Sequence, residues 1–301
     1  MITSHPLFRL MKKTIDNIYT DDLSKKQVCI GSGNLTTLKP MEDGYVENLE
    51  IAGTTYFPEK GLGEPIAEDT VTLGGSVRFY PKTYAKQVII AEEALEDNKY
   101  KEAIQAANRL TASAYRTQDV DFASVLIQSA NAAYPGGFDQ LPLAYASHTL
   151  PSGQTYSNVL STYSSPSMAA LINAKAQLGI MLGPNGMPQP LMPKAIVCPL
   201  IQEDVWRTIL DSEKVVGSNW NDINIVRRYK LQVKPVYHFD FASTSMWGLT
   251  TDAEDGWAAY EKRKIDKRNW VDNNVTALHY AVTYRLVYGW SNPRIWLQGN
   301  T

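Results

Sequence analysis

Tyr84-Ala-Lys-Gln-Val-Ile-Ile-Ala-Glu-Glu-Ala-Leu-Glu-Asp-Asn98 runs without a break into Lys99-Tyr-Lys-Glu-Ala-Ile-Gln-Ala-Ala-Asn-Arg-Leu110, and this junction decides the fold. Asp97 or Asn98 is a suitable cap for a helix over residues 99 to 130, a stretch with neither proline nor glycine. Tyr100, Ala103, Ile104, Ala107, Leu110, Ala114, Phe122, Val125 and Leu126 fall mostly at spacings of three, four and seven and define one apolar face. At about 1.5 Å per residue the helix spans roughly 45 Å, longer than a small domain is wide. Pro135-Gly-Gly137 ends the segment.

Upstream, residues 49 to 90 alternate in strand fashion. Tyr45-Val-Glu-Asn-Leu-Glu-Ile51 leads in, and Thr70-Val-Thr-Leu73 and Ser76-Val-Arg-Phe-Tyr80 lead out of a turn-rich middle, Phe57-Pro-Glu-Lys-Gly-Leu-Gly-Glu-Pro65. The pattern predicts a hairpin with an exposed tip. A two-stranded hairpin is at best marginally stable alone, so Tyr56, Phe57, Leu62, Val71, Leu73, Val77, Phe79 and Tyr80 need a surface to lie on, in this chain or in a neighbouring molecule. Residues 1 to 48 show little periodicity and read as an extended arm with at most one short helix.

Downstream, a helix is expected from Ser165, with Pro166 in its first turn, to before Gly183-Pro184. A strand at Ala195-Ile-Val-Cys198, a helix containing Val205, Trp206, Ile209 and Leu210, and strands near Leu231 to Phe239 and Ser245 to Leu249 give this stretch an α/β character. Val275 to Trp290 carries the strongest strand signal in the chain: Leu278, Tyr280, Val282, Tyr284, Leu286 and Tyr288 alternate with His279, Thr283 and Arg285.

The chain has 301 residues, 44% hydrophobic and 20% charged, with net charge -2. That balance predicts a real core and disfavours a dedicated nucleic-acid reader. Cys29 and Cys198 form neither a disulfide scaffold nor a metal-ligand pattern. No phosphate loop, zinc helix or nucleophile elbow occurs. Of the four histidines, His5 is in the arm, His148 in a loop, and His238 and His279 in expected strands, none in a paired constellation. His238-Phe-Asp240 offers only two ligands on one strand face, and Asp252-Ala-Glu-Asp255 reads as a solvated turn rather than a calcium loop. No catalytic, cofactor-binding or metal residues are expected. Lys262-Arg-Lys-Ile-Asp-Lys-Arg268, with Arg227 and Arg228, suits a solvated face or an intersubunit salt-bridge set better than nucleic acid, because Asp266 interrupts the run and no aromatic platform is evident.

The order of elements, with the passage from Tyr84 to Asn98 and the helix half Arg116-Thr-Gln-Asp-Val-Asp-Phe-Ala-Ser-Val-Leu126, resembles tailed-bacteriophage major capsid proteins of the Hong Kong 97-like fold. Residues 146 to 249, with Ser147-His148, Pro184-Asn-Gly186 and Pro193-Lys-Ala-Ile-Val-Cys-Pro199, are similar to Mu-like major head subunits. The resemblance implies an α+β fold with an N-terminal arm at 1-48, an extended-loop β-hairpin at 49-84, a peripheral domain at 85-145 with its spine helix at 99-130, an α/β axial domain at 146-271, and the peripheral domain's long strand at 272-301. It implies a major capsid protein that self-assembles through hexamers and pentamers into an icosahedral shell around double-stranded DNA. The expected partners are other copies of the chain, scaffolding, portal and decoration proteins, and DNA at the inner surface by non-specific contact. There is no cofactor and no membrane, and the place of the protein is the virion after assembly in the host cytoplasm. Tyr56, Phe57, Lys60, Leu62, Arg78, Arg227, Arg228, Lys262, Arg263 and Lys264 are the candidate intersubunit residues. Lys60 and Asn292 are the nearest candidates for the covalent crosslink some members form, but no motif identifies the assisting glutamate, so no crosslink is expected. The rival readings are an encapsulin-like nanocompartment shell, a tail-tube or other virion component, and an α/β enzyme of unrecognised type.

Overall fold

The computed structural model describes residues 27–54, 56–69, 71, 73–91, 93, 100–161, 165–215, 222–272 and 277–300. The chain divides into two compact units. The first is formed by the described parts of Met1–Tyr45, Tyr80–Phe122 and Ala259–Tyr288; the second by those of Val46–Phe79, Ala123–Ala258 and Gly289–Thr301.

In the first unit, strands β1 (Lys39–Pro40), β4 (Lys82–Ala91), β10 (Trp257–Asp272) and β11 (Ala277–Trp290) form a sheet in the order β1-β10-β11-β4. β11 and β4 pair antiparallel from Ala277↔Ala91 to Leu286↔Lys82. Because side chains alternate across a strand, Leu278, Tyr280, Val282, Tyr284 and Leu286 share one face. They are buried against Ala103, Ala107, Leu110 and Ala114 of helix α1 (Tyr100–Ile127). Alanines at three of those four helical positions let the helix approach the sheet closely. The Tyr84 and Tyr284 rings stack at 5.0 Å, and burial raises the Tyr84 hydroxyl to about 12, with Asp121 adding to the shift.

The helix matches the sequence expectation over its described length and closes at Ile127 rather than 130; the expected cap at Asp97 or Asn98 lies outside the described residues. The larger difference is β10. The basic run Lys262 to Arg268 lies inside a strand of 16 residues beside β11. On the face toward α1 only Ile265 and Val271 interrupt polar residues over 261–272, so the alternation that identifies a half-buried strand is weak there.

In the second unit, β7 (Pro193–Cys198), β8 (Gln232–Pro235), β9 (Trp247–Thr251) and β12 (Trp296–Asn300) form a mixed sheet in the order β12-β9-β7-β8, with β7 and β8 parallel. Helices α2 (Met168–Gly179) and α3 (Glu203–Asp211) contribute Leu171, Leu178, Trp206 and Leu210 to a core that also holds Cys198, Val226, Trp247 and Leu297. Trp206 and Trp247 meet at 4.7 Å between ring centroids. Burial raises the Cys198 thiol to about 12, so it packs in this core as a neutral, small apolar side chain. Trp296 closes over Gly248, where a Cβ would lie 2.2 Å from the indole, so only glycine permits this packing.

Three local expectations change in this unit. Helix α2 starts later than the expected Ser165, and Pro166 lies before its first turn: Ser167 caps it, its hydroxyl accepting from Ala170 N–H, and the helix proper begins at Met168. The expected strand through Phe239 ends at Pro235, and Tyr237–Phe241 is a short 3-10 helix. His238 and Asp240 therefore do not share a strand face; the Asp240 carboxylate accepts the backbone N–H groups of Leu200 and Ile201. The turn at Asp252 to Asp255 is solvated as expected, with Asp252, Glu254 and Asp255 exposed and Asp252 accepting from Met192 N–H.

Candidate assembly surface

Strands β2 (Val46–Ile51) and β3 (Leu73–Phe79) pair antiparallel from Val46↔Phe79 to Ile51↔Leu73, forming the base of an arm. Beyond that ladder the described residues 56–69 lack helix or strand and are exposed throughout. Phe57 is 96% exposed, Leu62 109% and Ile66 82%. Of the apolar residues assigned to the arm from sequence, Val77 and Phe79 are instead buried at its base, whereas Tyr56, Phe57, Leu62, Val71, Leu73 and Tyr80 are open. A large apolar side chain standing free in water signals a surface made for contact.

The base is held by contacts within its own unit. A Cβ at Gly75 would lie 1.9 Å from the Phe138 carbonyl oxygen, and Asn48 Nδ2 donates to Ser291 Oγ at 2.7 Å. Glu50 of β2 faces Arg294 at 3.9 Å, with both side chains largely buried. Burial raises the Glu50 carboxyl and lowers the Arg294 guanidinium, each against the partial compensation of the other's charge. Arg294 also donates to Leu182 O and to the side chains of Asn292 and Gln189.

The expected interface residues occupy three places. Tyr56, Phe57, Lys60 and Leu62 stand on the exposed arm, and Arg78 is at its base, paired with Glu47 across the β2–β3 ladder at 3.1 Å. Arg227 and Arg228 are exposed in the 3-10 turn Ile225–Tyr229, with Arg227 bonded to Glu213. Lys262, Arg263 and Lys264 lie on β10, where strand alternation turns them to opposite faces. Lys264 is exposed, Lys262 donates to the Glu42 carbonyl, and Arg263 Nε is buried.

Sequence reasoning missed four features. Asp119 on α1 accepts the N–H groups of Val28 and Cys29, anchoring the segment that leads into β1. His148 is fully buried, with Nδ1 2.6 Å from Asp139 Oδ2 and Nε2 3.1 Å from Asn158 Oδ1, so it does belong to a paired constellation. The basic run does have an aromatic neighbour, since Trp270 on β10 stacks on His279 at 5.1 Å. The arm is acidic, with Glu59, Glu64, Glu68 and Asp69 against Lys60; a charge count over 56–69 shows it. Among the described residues no group of three or more His, Cys, Asp and Glu side chains is placed to hold a metal, and no helix is long and apolar enough to cross a membrane.

The chain resembles a protein chain of Mycobacterium phage Patience, at 10% identity and a TM-score of 0.58 over 99% of this chain and 90% of that one. It also resembles the capsid of cyanophage P-SCSP1u, at 11% identity and 0.57 over 89% and 87%, and the capsid of an empty GTA particle, at 11% identity and 0.53 over 95% and 92%. At such identities these likenesses speak for the fold. No curated protein sequence matches the chain. The phage capsid protein family matches residues 75–297, and the chain belongs to that family. It is a major capsid protein of the Hong Kong 97-like fold, a structural subunit of an icosahedral shell rather than an enzyme, and its place is the virion.

Proposed function

We propose that the subunit builds its shell through hexamers and pentamers around double-stranded DNA, with the arm ordering itself on a neighbouring copy. The observation that carries this reading is the arm: a short ladder fixed at its base, followed by residues 56–69 exposed to solvent with Phe57 and Leu62 fully open. Such a segment cannot bury its apolar side chains on two strands alone, so its ordering is coupled to binding. Individually weak contacts suffice, because closed symmetry repeats each of them around the shell.

In this reading residues 49–84 are the extended loop, 85–145 the peripheral domain with its spine helix, 146–271 the axial domain around the symmetry axes, and 272–301 the long strand of the peripheral domain. The place of β10 beside β11 favours drawing the peripheral part from about residue 259. Scaffolding, portal and decoration proteins are the expected partners, assembly takes place in the host cytoplasm, and DNA meets the inner surface without sequence preference. Lys60 and Asn292 form no crosslink: Asn292 is buried, with its Nδ2 donating to Glu254 O and its Oδ1 accepting from Arg294 N–H and Nε. Electron microscopy and denaturing gels of the expressed chain test these points. Closed shells that dissolve to monomer on the gel are expected; a persistent monomer or open tubes would overturn the shell reading, and a ladder of covalent oligomers the absence of crosslinks.

A further inference from the structure

Asn158 decides how many protons the buried His148 ring carries. Its Nδ2 donates to Leu143 O and Pro293 O, and its Oδ1 accepts from Tyr145 N–H. Turned the other way, the amide would set its NH2 against an N–H and its oxygen against two carbonyls, so the backbone fixes which end is which. His148 Nε2, 3.1 Å from that Oδ1, must therefore donate. Its Nδ1 lies 2.6 Å from Asp139 Oδ2, and a contact of that length between two acceptors also needs a proton. The pair thus holds one proton more than a neutral imidazole beside a carboxylate has. The carboxylate, ordinarily the weaker base, leaves that proton on the ring. The Tyr156 ring stacks on the imidazole at 5.1 Å and Tyr145 meets it edge-on at 6.0 Å, and a ring face suits a cation. Burial keeps the Tyr156 hydroxyl protonated, and the charges that act on it are Arg294, Asp139 and Glu50.

Asp139 is also where the arm rests. Its Oδ1 accepts from Leu141 N–H and closes a turn over 137–140 in which Gln140 has a left-handed backbone, φ 56°. Phe138 in that turn donates its N–H to Ser291 O, and Ser291 Oγ accepts from Asn48 of β2. The Phe138 carbonyl fills the space that a Cβ on Gly75 of β3 would need. Both strands of the arm's base therefore lean on a turn whose carboxylate is held by His148. We propose that the proton between His148 and Asp139 is a latch on the arm: while it is bound the turn is fixed and the base is seated, and when it leaves the base loosens. Without it the Nδ1 lone pair faces a carboxylate oxygen at 2.6 Å, and the uncompensated charge of Asp139 bears on Glu50 of β2. A folded state that binds an extra proton is favoured at low pH and loses that advantage as pH rises. The latch belongs to the subunit; that the arm serves shell assembly rests on the reading above, and the test needs no shell.

Hydrogen exchange of the β2 and β3 amides in the unassembled subunit, corrected for the intrinsic effect of pH on exchange, reads the latch. In the wild type, protection is expected to fall at least tenfold between pH 6 and pH 9.5. Asp139→Asn is the deciding variant. Its amide Nδ2 donates to a neutral Nδ1 and keeps the bond with no proton to lose, while its Oδ1 still accepts from Leu141 N–H, so protection should stay high at both pH values. His148→Gln should lose protection at both, and Glu50→Gln should keep the tenfold step, which removes Glu50 as the group that titrates. Nitrogen-15 spectra of histidine-labelled subunit at pH 6 should show both His148 ring nitrogens protonated, their signals identified by their absence from His148→Gln. A wild type equally protected at both pH values, an Asp139→Asn subunit that still shows the step, or a His148 ring with one proton at pH 6 would overturn the proposal. Should Asp139→Asn fail to fold, the wild-type exchange and the ring-nitrogen spectra decide it. Failure of the wild type to form shells would leave these results untouched and sink the shell reading alone.

Discussion

Asn158 makes four hydrogen bonds from one buried amide. Its Nδ2 donates to Leu143 O and Pro293 O, and its Oδ1 accepts from Tyr145 N–H and the His148 ring. Aspartate has the same shape but no donors, so Asn158→Asp turns a carboxylate oxygen toward two carbonyls. A loss of about 3 kcal/mol or more in urea unfolding of the unassembled subunit is expected; a loss below about 1 kcal/mol would show that the amide is not held in this way. Sequence could not reveal this hub, because Asp139 lies in a turn, His148 in the short strand His148–Thr149 rather than the expected loop, and Asn158 just after the paired strand Thr155–Tyr156, and nothing in their spacing brings them together. Glu261 gives a pH prediction. Burial raises its carboxyl above the ordinary 4.5, with Lys264 opposing, so the folded state keeps a proton that the unfolded chain releases. Stability from this group is complete below pH 4.5 and is lost as pH rises through the raised value. Glu261→Gln is therefore expected to stabilise the unassembled subunit at pH 7 and to bring no gain at pH 4; equal effects at both would sink the assignment.

At the scale of elements, what could be read depended on whether one face of the element was apolar. Helix α1 and strand β11 each set a continuous apolar row against the other, and both were legible to within a few residues. Strand β10 was not, since Lys262, Lys264 and Arg268 on one face alternate with Arg263 and Lys267 on the other, and its ordering comes from pairing beside β11 rather than from its own pattern. The α1 face makes a strong prediction. Leu110 is 5% exposed and Phe122, edge-on to Tyr288 at 5.8 Å, is fully buried. Leu110→Asp or Phe122→Asp places a charge where neither water nor a counter-ion reaches it. No soluble folded subunit should be recovered, whereas Leu110→Ala should fold and lose about 2–5 kcal/mol. Soluble Leu110→Asp protein with a wild-type helical spectrum would refute the packing. Asp119 carries a milder prediction: Asp119→Ala removes the acceptor for Val28 and Cys29 N–H, and limited proteolysis should then cut within residues 27–36 at least several times faster. An unchanged digestion pattern would count against the anchor.

For the whole molecule, the arm separates folding from assembly. Its ladder ends at Ile51↔Leu73, and it is tied to the rest of the second unit at Asn48, Glu50 and Gly75 on the base side of that point and at Thr54 just beyond it, whose carbonyl accepts from Asn185 Nδ2 at 3.0 Å. Residues 56–69 contribute only exposed side chains to the subunit. Replacing 56–69 with a short Gly-Ser linker should therefore leave the melting curve of the unassembled subunit nearly unchanged, since burial of apolar area is what a segment adds to stability and this one buries little. Shell formation should be lost, because the same segment carries Phe57, Leu62 and Ile66 open to solvent and buries none of them on the described part of its own subunit. Sedimentation of the trimmed subunit as a folded monomer is the expected result. Trimmed protein that still closes into shells would remove the arm from the assembly mechanism, and trimmed protein that unfolds would mean that the arm contributes to its own subunit's core.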